Sequence, residues 1–367
     1  MIATLGPSSW SLARDLVVAG ATALRVNSSH IGPDALLPIL GQARKQDATI
    51  PIVVDLQGAK MRLGDLPEHR VRGGDTVVLY LASKSDPLED SSRLDPVEPP
   101  PRIDAEAPAA KGRPTRQEAP WVAGDDRTVS MDPSGKAKSR INLPVPHPEL
   151  FLAASKGDTI TIGDGRSRLK VASVGRDHLE AHALCDGLLL PRKGINIVEH
   201  PIVLGELTES DAAFIEEARE FPGVFWAYSF MHDGREANWI RESMPGSLVA
   251  GKIERAESID SLDSISSTVD SIWICRGDLG EQLGPSALAR FVGALEPKKF
   301  ETPILMAGQV LEHLTRHETP TRSEICHLHD LIERGYAGIV LSDETAIGVD
   351  PTNAVRSARD LIGAFLA

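Results

Sequence analysis

Short apolar runs, each followed by a stretch whose apolar positions recur at helical spacing, set the rhythm of this chain. Ile2 to Leu5 precedes the helix-like stretch Trp10 to Val18, Ala23 to Val26 precedes Asp34 to Gln46, and a third run covers Ile52 to Leu56. The rhythm then stops. It resumes at Val224 to Tyr228 and continues with Leu248 to Ile253, Ser271 to Cys275, Ile304 to Ala307 and Gly338 to Leu341. Helix-like stretches follow here too, at Ser258 to Ser267, Ser286 to Leu295 and Pro351 to Phe365. Strand-length apolar runs alternating with amphipathic stretches predict parallel strands joined by crossover helices. Eight such units predict an α/β fold of the TIM (β/α)8 barrel type. A doubly wound open sheet would produce the same periodicity.

The interruption, residues 65–192, has a different pattern. Thr76 to Leu81, Thr159 to Ile162 and Arg168 to Val174 read as strands, and Gly163-Asp164-Gly165 is a turn signal between the last two. These features predict a small β-rich domain inserted into the barrel, with residues 1–64 as the barrel's first part and 193–367 as its second. Within the insertion, the tract from about 83 to 120 is rich in Pro, Asp, Glu and Ala and includes Pro99-Pro100-Pro101. That composition predicts a solvated loop. A partner-docking segment is the alternative.

Composition narrows the class. A chain of 367 residues can bury a large core, and with only 4% aromatic residues that core must be mainly aliphatic. No run approaches the roughly 18 apolar residues of a membrane span. The opening MIATLGPSSW lacks the basic and apolar regions of a signal peptide. The three cysteines, Cys185, Cys275 and Cys326, are far apart, which argues against a disulfide framework and fits a reducing cytoplasm. A net charge of −13 argues against nucleic-acid binding, although a few local Arg and Lys residues suffice for a small anion.

In a barrel of this type, chemistry sits where the strands end. Here nearly every strand is followed by polar groups: Gly6-Pro7-Ser8-Ser9; Arg25, Asn27, Ser29 and His30; Asp55 to Arg62; Ser229-Phe230; Lys252 to Glu254; Arg276 to Gly280; Gly308-Gln309; and Ser342 to Thr345. Gathering such groups costs desolvation unless something bridges them. Lys252 and Glu254, at i and i+2, face the same way. Glu254 with Asp278 on the next strand offers two carboxylates for one hard divalent cation, with water and substrate oxygens completing the shell. A structural Lys252–Glu254 ion pair is the competing reading. Arg25 and Arg62 suit phosphate. Asn27, Ser29 and Asp55 offer oxygens to a monovalent cation, or make ordinary turn and cap hydrogen bonds. The Arg-Gly-Asp-Leu-Gly turn, placed at a predicted helix start, would suit a carboxylate. His313, His317, Cys326, His327 and His329 lack the regular spacing of a zinc site and read as helix-surface residues.

The ordered strings TLGPSS, LRVNSSH, VDLQGAKMRLG, GDTITIGDG, RKGINI, LTESD, AYSF, GKIERAESID, ICRGDLG, MAGQVLEHL, TPTRSE and VLSDETAIGVDP resemble the pyruvate kinase family, from Ile2 to about Ala354. The resemblance implies a TIM barrel with a small β-barrel lid domain inserted after the third strand. It also implies a cytoplasmic, glycolytic enzyme that moves a phosphoryl group from phosphoenolpyruvate to ADP with Mg²⁺ or Mn²⁺. The family usually carries a further C-terminal α/β domain that binds effectors. The chain's stop at Ala367 predicts that this domain and its share of the tetramer interface are missing, so any self-association would run through the barrel.

Position by position, the resemblance makes Glu254 and Asp278 the divalent-metal ligands. Lys252 stabilises phosphoryl transfer and the enolate, and Arg25 contacts the transferring phosphate. Asn27, Ser29 and Asp55 match the family's K⁺ ligands. Arg62 and Lys193 lie on the phosphate and nucleotide side, with Pro7, Asn27 and His30 at the nucleotide. Asp164 is a lid aspartate, Gly277 belongs to the turn holding the substrate carboxylate beside Gln309, and Ser342 and Glu344 form the proton path. Three departures stand out. Gly308 replaces a threonine, a loss of about 2.7–4 kcal/mol if that hydroxyl acts mainly in the transition state. Lys60 and Leu56 replace a glutamate and a threonine, as in the branch where a lysine ammonium stands in for K⁺, so activity without K⁺ is expected. Ile347 replaces a lysine, which alters expected nucleotide contacts. The Gly308 and Ile347 changes leave two other readings open: Mg²⁺-dependent enolate chemistry on a 2-oxo acid, as in a decarboxylase or lyase, and a non-catalytic metabolite-binding relative.

Overall fold

The computed structural model describes residues 1–82, 128–131, 137–163 and 167–367. Two compact units divide the chain: Met1–Lys60 with Val203–Ala367, and Met61–Ile202. In chain order the strands are β1 (Ile2–Leu5), β2 (Ala23–Asn27) and β3 (Ile52–Leu56) of the first unit. The second unit holds β4 (His69–Val71), β5 (Thr76–Leu81), β6 (Thr128–Met131), β7 (Ala137–Val145), β8 (Thr159–Ile162), β9 (Ser167–Val174), β10 (His178–Ala183), β11 (Gly187–Leu189) and β12 (Ile195–Ile197). The first unit resumes with β13 (Val224–Tyr228), β14 (Val249–Ile253), β15 (Ser271–Cys275), β16 (Ile304–Ala307) and β17 (Gly338–Leu341).

The eight strands of the first unit close into a parallel barrel in the order β1, β2, β3, β13, β14, β15, β16, β17. The closed barrel settles the choice against an open sheet. Strand alternation divides its core in two. Ile52, Val54 and Leu56 of β3, with Ile272 and Ile274 of β15, face the surrounding helices, whereas Val53, Ala250, Trp273, Ala307 and Val340 form a separate apolar plug. Because side chains repeat every two residues, the next inward position after Val53 is Asp55, and after Ala250 it is Lys252. An apolar floor thus lies beneath a charged layer at the strands' C-terminal ends.

The crossover helices depart from expectation at their ends. The stretch Ser258 to Ser267 is two short helices, Glu257–Asp260 and Leu262–Ser266, broken at Ser261, whose backbone (φ −100°, ψ 8°) is not helical. Helices Glu209–Glu217, Glu236–Ser243 and Arg322–Glu333 add to those expected, and helix Arg276–Leu283 begins at the turn where a helix start was expected. None of the helices among the described residues is long and apolar enough to cross a membrane.

The second unit is β-rich. Seven strands form one sheet in the order β12, β8, β9, β10, β5, β7, β6, and β4 pairs with β11. Its alternating pattern buries Leu169, Val171, Leu179 and Ala181 with Val77, Leu79, Ile141 and Leu143. The Pro-rich tract 83–120 and the turn residues Asp164 and Gly165 lie outside the described residues.

Candidate active site

Four barrel strands and the segment after β13 bring a set of charges together. Arg25 leaves β2, is 9% exposed, and donates from Nε to Asp55 Oδ2 at 2.7 Å and from Nη1 to Thr4 Oγ1 at 3.0 Å. Lys252 Nζ lies 3.0 Å from Asp55 Oδ2 and 3.0 Å from Glu254 Oε1, and donates to Ser229 Oγ at 2.7 Å. Ser229 in turn donates to Asp55 Oδ1 at 3.1 Å. The second Glu254 oxygen accepts the Phe230 amide at 3.0 Å, and Phe230 holds a left-handed backbone (φ 55°) to present it. That conformation is uncommon outside glycine.

The electrostatics follow from burial and pairing. Burial is the largest influence and opposes charge on Lys252 and Arg25, but Asp55, Glu254 and Cys275 together outweigh it, Asp55 contributing most, and their pKa values rise. Burial also pushes Asp55 up, yet Lys252 and Arg25 together hold it below the usual carboxylate range. Glu254 goes the other way. Burial, reinforced by the like charge of Asp278, outweighs Lys252 and raises its carboxyl. A group in that state gains from a cation placed between it and Asp278.

Asp278 sits in the first turn of helix Arg276–Leu283, directly after β15, and its carboxylate is hydrogen-bonded by Lys60 Nζ. Lys60 also lies over the Phe230 ring, 5.3 Å from its centroid. The Lys60 ammonium therefore reaches the carboxylate paired with Glu254. Asn27 Oδ1 accepts the Ser29 amide at 3.1 Å, a local cap, and Asp55 is engaged by Arg25 and Lys252. The helix carrying Gly277 has Cys275 at its N-cap with no side-chain cap bond, so its first amides are not capped by the preceding side chain.

Gly308 adopts φ +80° and Gln309 φ 53°. Arg276 clamps this turn, donating from Nε and Nη2 to the Gly308 carbonyl at 3.0 and 2.7 Å and from Nη2 to that of Gln309 at 2.7 Å. Its Nη1 lies 2.6 Å from His327 Nε2. Glu344 is completely buried, and its two oxygens accept the amides of Leu311 (3.1 Å) and Ser342 (2.8 Å). That carboxylate ties the segments after β16 and β17 together. Pro7, His30 and Ile347 are exposed.

Arg62 and Lys193 belong to the second unit. There Arg62 forms a β-bridge with Gly194 and donates to the Arg192 carbonyl at 3.0 Å. Asp164 lies outside the described residues. His313 and His317 stack at 3.8 Å, and no group of three or more His, Cys, Asp or Glu among the described residues is arranged to hold a metal. Sequence reasoning did not single out Thr4 or Asp211 and named Arg276 only as part of a strand-end turn, yet all three bond to the segments that carry the site.

A closed (β/α)8 barrel, interrupted after its third strand by a β-domain and carrying a buried lysine between carboxylates at its C-terminal end, defines the class of this protein. The chain belongs to the pyruvate kinase family, whose barrel-domain model matches residues 104–355. It is 27% identical over 366 residues to a pyruvate kinase of Agrobacterium vitis, covering 97% of this chain and 66% of the relative. A pyruvate kinase of Methylorubrum extorquens is 26% identical with the same coverage. One of Thermococcus litoralis is 27% identical over 369 residues, covering 97% of this chain and 67% of the relative. The chain thus spans about two thirds of the length of these relatives.

Proposed function

We propose that this chain transfers the phosphoryl group of phosphoenolpyruvate to ADP and protonates the resulting enolate to pyruvate. The observation that carries this reading is the Lys252 ammonium, buried between Asp55 and Glu254, with Arg25 bound to the same Asp55 oxygen. Phosphoryl transfer needs little covalent help and much positioning and charge neutralisation. Two cations preorganised in a dry layer meet that need. Arg25 would face the phosphoryl oxygens. Lys252 would neutralise the enolate oxygen as its charge develops. The first amides of helix Arg276–Leu283 would take the substrate carboxylate.

Glu254 and Asp278 fit a divalent ion of the Mg²⁺ type, which is commonly bound by one or two carboxylates plus substrate oxygens. The raised carboxyl of Glu254 supports the fit, because a cation there relieves its repulsion with Asp278. When bound, Mg²⁺ or Mn²⁺ supplies charge neutralisation of the phosphoryl oxygens. On the proton side, both Glu344 oxygens are taken up by amides, so we assign Glu344 to holding Ser342 in place. Exposed Pro7 and His30, with Asn27, are assigned to the nucleotide.

The test is pyruvate formation from phosphoenolpyruvate and ADP with Mg²⁺, using Glu254→Ala as the blank. Metal-dependent turnover absent from that variant is the expected result. A folded wild-type protein that binds Mg²⁺ and makes no pyruvate overturns the reading. Gly308 favours a second reading, enolate chemistry on a 2-oxo acid, because no hydroxyl stands at that turn. Turnover of oxaloacetate without ADP binding would select it.

A further inference from the structure

Helix Glu209–Glu217 carries a buried acid that the proposed chemistry leaves unused. Asp211 is fully buried, 0% exposed. Its Oδ1 accepts the amide of Gln57 at 3.0 Å and its Oδ2 that of Gly58 at 3.0 Å. Its position is the third in the helix, and its own amide donates to the N-cap Thr208 Oγ1 at 3.1 Å. An acidic side chain there commonly turns back to the N-cap amide. Asp211 instead reaches residues 154 and 153 positions away in sequence.

The turn it grips is tightly built. Gly58 has φ +59°, and a Cβ at that position would collide with the Ser229 carbonyl oxygen. The backbone after β3 therefore lies directly against the backbone after β13, where Ser229 and Phe230 engage Lys252 and Glu254. Gln57 Nε2 closes the turn by donating to the Lys60 carbonyl at 2.8 Å. Lys60 then extends its ammonium to Asp278. Burying a carboxylate is costly, and a neutral side chain would cap a turn more cheaply. Two charge-assisted bonds to consecutive amides fix the turn's orientation as well as its position.

We infer that Asp211 is a positioning residue whose carboxylate fixes the Gln57–Lys60 turn and thereby sets the Lys60 ammonium on Asp278. Its effect on turnover rests on the phosphoenolpyruvate reading; the anchoring does not. The test compares wild type with Asp211→Asn, which keeps the size and one acceptor, and with Asp211→Ser as a second variant. Three quantities are read: amide hydrogen exchange over residues 55–60, the rate at which acetic anhydride labels Lys60, and kcat with KM for phosphoenolpyruvate. In Asp211→Asn, exchange of the segment should become about tenfold faster, and Lys60 should label faster. The kcat should fall about tenfold or more while KM moves little, because small misplacements are costly at the reacting centre. Unchanged exchange and labelling would overturn the inference. So would a loosened turn with full kcat. A wild-type chain without pyruvate formation would sink the functional reading instead, and exchange and labelling would still decide the anchor.

Discussion

Lys252 Nζ and Asp55 Oδ2 are 3.0 Å apart although their strands, β14 and β3, are separated by β13. Asp55 is also held by Arg25, so one carboxylate that is 1% exposed is shared by two cations. With Glu254 as the second carboxylate on Lys252, the arrangement holds both cations fixed until an anion enters. It also makes the charges interdependent, since removing either cation strands part of the cluster.

Lys252→Met should therefore do two things. As the group assigned to the developing negative charge, its loss should lower kcat by about 10²–10³ with a much smaller effect on substrate affinity. It also leaves Asp55 and Glu254 buried with less countercharge, which should cost about 3–5 kcal/mol of stability. Steady-state kinetics and denaturant unfolding on the same preparation separate the two effects. Near-normal turnover in a folded variant would remove Lys252 from the chemistry.

Lys60 should make K⁺ dispensable. Its ammonium bonds Asp278 and lies close to Phe230, next to the carboxylates assigned to the divalent ion. Activity should be the same in Na⁺ and K⁺ at matched ionic strength. Lys60→Met should lose activity, because the ammonium that stands beside Asp278 is then gone. A strict K⁺ requirement in wild type would contradict this role.

The barrel was legible because its strands are apolar on both faces and bounded by polar segments. The runs at Ile2 to Leu5, Ile52 to Leu56 and Ser271 to Cys275 coincide with β1, β3 and β15. The layer of Arg25, Asp55 and Lys252 was legible through position at strand ends, where a two-residue period carries apolar floor into charge. The start of helix Arg276–Leu283 was legible in the Arg-Gly-Asp-Leu-Gly turn, while its glycines and charges hid its extent. Strand β7 was hidden by the polar residues of AKSRINLPV. A local signal did exist for helix Arg322–Glu333, whose Thr321 and Glu324 form a capping box. Asp211 was hidden for a different reason. An acid three residues after a threonine reads as a cap, and only the tertiary fold turns it toward Gln57 and Gly58.

Restoring a threonine at Gly308 should not restore function simply. Gly308 has φ +80°, and a Cβ there would lie 3.4 Å from the Gly277 nitrogen. A β-branched residue in that conformation costs about 1–3 kcal/mol. Arg276 holds the carbonyls of Gly308 and Gln309, so the turn cannot easily relax. Gly308→Thr should lower the unfolding free energy by about that amount without raising kcat. A variant as stable as wild type and more active would show that the turn adapts.

Asp211 makes a prediction whose sign depends on pH. Burial pushes its carboxyl up from 3.8 to about 6, against the hydrogen bonds from Thr208, Gln57 and Gly58 and with a small contribution from the like charge of Asp55. Tyr228, itself buried, faces the same region with Glu236 and Arg255 nearby. Below 3.8 both folded and unfolded chains hold the proton, and Asp211's contribution to stability is at its most favourable. As pH rises through about 6 the folded chain must carry a buried charge, and that contribution is lost. A shift of about two units corresponds to about 3 kcal/mol in total, of which about 1–1.5 kcal/mol falls between about pH 5 and about pH 7.5. Asp211→Asn has no proton to lose there. Like the protonated acid, it offers one carbonyl acceptor in place of two, so its own contribution to stability should not change between the two pH values. The variant should therefore gain on wild type as pH rises, even while its turn loosens and its turnover falls. Urea unfolding of both proteins at the two pH values measures the gap. A gap that stays constant would mean that Asp211 titrates in its ordinary range, and its carboxylate would then be no costlier an anchor than an exposed one.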